Sequence, residues 1–261
     1  MKVLFQNPGM DYMVNSIMMF QKEDESSFWS EPLFHFYPQL DKAYVFKLSP
    51  REKSEYIRDT LISVYRDQES TINYKVDIYS TYWDKCEPQI TEALSDAFSL
   101  DCRGLFNDMK CFVSMNPISP RFLSDNNFEV FYLNSERGAV GTSIHEIIHF
   151  VWFYVWHNLF SDSYEEYERP SLKWILSEMV VEPIMKDERL SSINPYFPRE
   201  NGGCIYPYFF DMYAGGRLIL DTLDDMYKGM KIEDFMKNSY ECNSRLNGMP
   251  FPIETECCFL V

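Results

Sequence analysis

The chain has 261 residues, 46% hydrophobic and 17% aromatic, enough to bury a sizeable core in one large domain or two subdomains. Its formal net charge of −16 excludes a general nucleic-acid binder, which needs a basic surface, and disfavours docking on anionic membranes. Seven cysteines, an odd number without metal-ligand spacing, argue against a disulfide framework and for a reducing cytoplasm.

Residues 1–8 lack the long apolar core of a signal peptide. Residues 1–48 break at Pro32 and Pro38 and read as short strands and turns. Ser49-Pro50-Arg51-Glu52 is a capping box with proline at the first helical position, and the helix it opens is expected to end near Arg66. Residues 74–83 alternate in polarity and predict a strand, followed by a helix over 87–98. Strands are expected at 111–115 and 128–133, and the second suits pairing with an extended substrate. Helices follow at about 136–157, 171–182, 209–227 and 232–238. The apolar run 150–156 is too short to span a bilayer and reads as a buried helix face. The ending Cys258-Phe259-Leu260-Val261 has the form of a prenylation tail, but no basic segment precedes it, so it reads as a chance match. The expected fold is α+β, with a mixed sheet-and-helix N-terminal half and a mainly helical C-terminal half.

The helix over 136–157 carries His145-Glu146-Ile147-Ile148-His149. Histidines at i and i+4 lie one turn apart on one face, so both imidazoles can reach one ion. Glu146 is placed to take a proton from a water held there. The competing reading makes both histidines core residues, with Glu146 merely closing a capping box from Ser143. Burying them beside Phe150, Trp152 and Trp156 is costly unless something pairs with them, and a metal does so.

A third histidine six residues after His149 is excluded, because Val155 stands there. His157 lies about 12 Å further along a continuous helix and cannot share the ion. The chain resembles the gluzincins, zinc metallopeptidases whose third ligand is a glutamate on a second helix. That resemblance rests on the histidine motif together with Ser177-Glu178-Met179-Val180-Val181-Glu182. It implies zinc on His145, His149 and Glu178, a zincin-like fold with the site between the two halves, and Glu182 orienting a ligand histidine. The usual gluzincin spacing would favour Glu168 instead, but Glu168 sits in a polar stretch ended by Pro170. Pro183 directly after Glu182 disfavours helical geometry there.

The resemblance also suggests Tyr213, ahead of Gly215-Gly216, as the donor to the oxyanion, with Tyr208 second. The glycine pair is expected to permit close helix packing. The resemblance covers roughly residues 111–240, so 111–261 is expected to be the metallopeptidase core and 1–110 a cap or specificity region. The function expected is a zinc-dependent hydrolase acting on a peptide or protein substrate, with Glu146 as general base. A catalytically inactive, zinc-stabilised binding module on the same scaffold is the alternative.

Overall fold

The computed structural model describes residues 1–22, 27–169, 171–194 and 206–244. The protein is a mixed α+β structure, mostly helical, around one small sheet. The sheet is built from β1 (Val3–Gln6), β2 (Met109–Ser114), β3 (Arg121–Phe122) and β4 (Asn127–Phe131), in the order β1-β2-β4-β3. The first three in that order run parallel, and β3 lies antiparallel on the edge. The expected strands at 111–115 and 128–133 are therefore present as β2 and β4. It is β3, however, that occupies the edge beside β4 where a free edge was expected.

Short helices α1 (Met10–Met18), α2 (Ser27–Phe36) and α3 (Lys42–Val45) fill the N-terminal region. Beyond them, α4 (Pro50–Phe98) is a single helix of 49 residues. It starts as expected: the Ser49–Glu52 capping box forms and Pro50 sits in the first turn. The strand expected at 74–83 is wrong, because those residues lie in the middle of α4. Ile72, Tyr79, Trp83, Cys86 and Ile90 are buried along it, at spacings of seven, four, three and four. That is a helical stripe. Strand β1 pairs with β2, so the regions before and after residue 110 share one sheet, and their buried residues form one continuous cluster.

The helical half consists of α5 (Glu136–Phe160), α6 (Leu172–Met185), α7 (Glu188–Ser191), α8 (Ile219–Gly229) and α9 (Ile232–Ser244). Pro183 does not end α6 at Glu182, since the helix runs on to Met185. Val181, Ile184 and Met185 are almost fully buried, and that packing overrides the local preference. The helix expected over 209–227 is also corrected. A 3-10 turn at Pro207–Asp211 leads into a hairpin, β5 (Tyr213–Ala214) and β6 (Arg217–Leu218), and only then into α8. Gly215 and Gly216 have φ of 60° and 81° and form the hairpin turn, with nothing within 4 Å of a Cβ placed on either. They do not pack helices. No described helix is long and apolar enough to cross a membrane. Cys86, Cys102, Cys111 and Cys242 are free thiols, while the Cys258 tail lies outside the described residues.

Two interior features give tests. Gly141, one turn before His145, faces Asn194, and an added Cβ would meet its side-chain nitrogen at 2.4 Å and its Cβ at 3.0 Å. Alanine favours a helix by about 1 kcal/mol over glycine, but this clash involves the whole of a buried side chain. Gly141→Ala is therefore expected to destabilise by about 1–3 kcal/mol in chemical denaturation.

Glu129, fully buried on β4, accepts a hydrogen bond from Ser16 of α1, and burial pushes its pKa up to about 7. A carboxyl raised on folding favours the protonated form. Its contribution is complete below the unfolded value and is lost as pH rises through about 7. Glu129→Gln should therefore match the wild type near pH 4 and gain on it, by up to about 3 kcal/mol, as pH rises past neutrality. Denaturation curves across that range check this.

Candidate metal centre

Helix α5 positions the motif. Ser135 caps it by accepting from the Gly138 amide, and the helix ends at Ser161, whose φ of 55° stops it. Ser143 is not a cap. It lies mid-helix and donates back to the Ala139 carbonyl at 2.8 Å, which removes the capping-box account of Glu146. His157 falls in the last turn, about two turns beyond His149, with Nδ1 2.8 Å from the Asp162 carbonyl.

Helix α6 brings Glu178 to the histidine pair. Its Oε2 lies 3.4 Å from His145 Nε2 and 3.4 Å from His149 Nε2. The three ligand atoms all lie within 4.8 Å of one another, and these residues form the described group able to hold a metal. Glu168 is exposed at the end of a short 3-10 turn and does not belong to that group. Tetrahedral ligands roughly 2.0–2.1 Å from zinc stand roughly 3.4 Å apart, so the Glu178–imidazole separations are those a bound ion needs.

Partnering makes the same point. His149 is completely buried, and neither of its ring nitrogens has a hydrogen bond among the described residues. Nδ1 of His145 and Oε2 of Glu146 are also buried without one. Orphaned polar atoms this concentrated are rare in a folded protein. A metal ion would take Nε2 of His149, and the donor set of two imidazoles and a carboxylate could hold one.

Arg121, which the sequence reading missed, completes the cluster from the edge strand β3. Its Nη1 donates to Glu178 Oε1 at 2.9 Å and stands 3.6 Å from Glu146 Oε2. The electrostatics follow. Burial opposes ionisation of Glu178, yet the motif imidazoles at 3.4 Å and the Arg121 guanidinium hold its carboxyl well below the usual range. Burial raises Glu146, against the pull of His145 and Arg121. Burial and the nearby guanidinium push His149 down to about 3, so it stays neutral and keeps a lone pair for a metal. Burial would lower His145 as well, but Glu178 and Glu146 outweigh it and the pKa is raised.

Glu182 is buried on the same face of α6 and lies 3.3 Å from Lys186. The orienting bond expected from it is not formed, since Nδ1 of neither histidine has a partner among the described residues. Tyr213 is 53% exposed on β5 and does not line the cavity at the site. The side chain of Tyr208 lies outside the described residues. Tyr206, which the sequence reading passed over, does line that cavity, together with Trp29 and Trp174.

The cavity has a volume of about 230 Å³, and His145, Glu146, Glu178 and Arg121 form part of its wall. A larger open depression of about 680 Å³ lies between Glu87 and Arg103, away from these residues. Comparison with protein-family models, curated proteins and solved structures finds no match for this chain. The geometry alone carries the reading of the site.

Removing His149 by His149→Ala is expected to weaken zinc binding by more than the roughly 10–100-fold that an outer partner of a ligand is worth. Competition with a chromogenic chelator measures this. In the wild type, zinc at one hundred times its Kd should add about 2.7 kcal/mol of stability, read as a rise in melting temperature that a chelator reverses.

Proposed function

We propose that the chain is a zinc-dependent hydrolase of gluzincin type, with a zincin-like arrangement of α5 and α6, that cleaves amide bonds in peptides. The observation that carries this reading is Glu178 Oε2 lying 3.4 Å from both motif imidazoles, beside an unbonded Glu146 oxygen. His145, His149 and Glu178 would hold the ion. Bound there, zinc supplies a Lewis acid and brings the pKa of water in its open position towards neutrality.

The chain's own groups account for the proton traffic. Glu146 is one residue beyond His145, carries no ligand duty and is kept more basic than an ordinary glutamate by burial. It takes the proton of the attacking water and returns it to the departing amine. Arg121 keeps Glu178 ionised and fixes its outer oxygen, leaving the inner one for the histidines. Residues of the N-terminal region, among them Met19 and Trp29, line the same cavity, which supports a role for that region in specificity. The free thiols support a reducing compartment such as the cytoplasm.

Glu146→Gln tests the assignment. It removes the base while leaving the three ligands, so zinc content should be unchanged and turnover of a mixed peptide library should fall about 10²–10⁴-fold. Zinc binding with no cleavage by the wild type would instead identify a zinc-stabilised binding module.

A further inference from the structure

Arg121 has more hydrogen-bonding capacity than its neighbours use. A guanidinium carries five N–H donors in a planar fork. Among the described residues this one makes a single hydrogen bond, from Nη1 to Glu178. Only 12% of its side chain is exposed, and what is exposed belongs to the wall of the cavity that holds His145, Glu146 and Glu178. A buried guanidinium with donors to spare, within 3.6 Å of the proposed base, is poised for an acceptor that arrives with a ligand.

The surroundings say what kind of acceptor. The chain carries a net charge of −16, yet on this wall three cations (Lys22, Arg121 and Arg169) meet three carboxylates (Glu146, Glu168 and Glu178). The wall is thus balanced in charge, in a molecule that elsewhere carries an excess of acids and repels anions. Trp29, Trp174 and Tyr206 supply flat apolar surface, with Tyr206 ring contacts at 5.7 Å and 5.6 Å to the two tryptophans. The volume of about 230 Å³ is below the roughly 300–1,000 Å³ of clefts for drug-sized ligands, which suits one or two residues at the end of a chain.

We propose that Arg121 binds a substrate carboxylate, so that the site takes short acyl-amino acids or peptide C-termini with an aromatic or large apolar side chain. Amide cleavage of such a substrate rests on the hydrolase reading. The recognition itself does not, because the anion contact is made by Arg121.

The test compares N-acetyl-L-phenylalanine with N-acetyl-L-phenylalaninamide, which differ only at the carboxylate, by calorimetric titration of zinc-loaded and chelator-treated protein. The acid is expected to bind about 10-fold or more tightly than the amide in both forms, the worth of a charge-assisted hydrogen bond. Arg121→Met should erase that preference. Arg121→Lys, which keeps the charge without the fork, should retain part of it, and the wild-type comparison stands even if either variant folds poorly. Equal binding of acid and amide overturns the proposal. So does a preference that survives in Arg121→Met, or one confined to the zinc-loaded form, since either assigns the anion elsewhere. A preference present in chelated protein and lost in Arg121→Met upholds the recognition, even if no acyl-dipeptide is cleaved. That last result would remove only the hydrolase reading.

Discussion

One carboxylate organises the centre of this protein. Glu178 offers its inner oxygen to two imidazoles from α5 and its outer oxygen to a guanidinium from the sheet edge. Three elements thus meet on a single side chain: α5, α6 and β3. The approach of α5 and α6 is what brings the Glu178 carboxylate to His149. The rest of the architecture serves that approach. The long helix α4 and strand β4 pack against α5, and α6 carries Glu178 inward among the buried Leu176, Val180 and Val181.

Charge explains why such a cluster survives in a core. Two buried carboxylates against one guanidinium leave an excess of negative charge, which the raised His145 partly answers. A divalent cation would answer it and would take Nε2 of each imidazole. Burial raises both glutamates, and their partners separate them. Glu146, which has the weaker cationic contacts, stays raised, while the imidazoles and Arg121 hold Glu178 well below the usual range. The guanidinium is 2.9 Å from Glu178 and 3.6 Å from Glu146, which suits the proposed roles of ligand and base.

The helical spacing of the motif made the clustering of His145 and His149 legible in the sequence. Two histidines at i and i+4 share a face in any helix, and the resemblance to gluzincins pointed to Glu178 in its apolar run. Arg121 carried no such signal, because it reaches the site across the sheet, and only the β3–β4 pairing brings it there. The α+β class and strands β2 and β4 were likewise readable. The alternation at Tyr74-Lys75-Val76-Asp77-Ile78-Tyr79 misled because six residues cannot separate a period of two from one of 3.6. The wider stripe from Ile72 to Ile90 is helical. Gly215-Gly216 signals a turn as strongly as close packing, and here the positive φ angles show that the turn won.

The most direct measurement is X-ray absorption at the zinc edge of the purified, zinc-reconstituted chain. The account predicts a first shell of nitrogen and oxygen alone at about 2.0–2.1 Å, with the outer-shell signature of two imidazoles, lost when His145 and His149 are replaced. Sulfur in the shell, or a spectrum unchanged by those replacements, would contradict it.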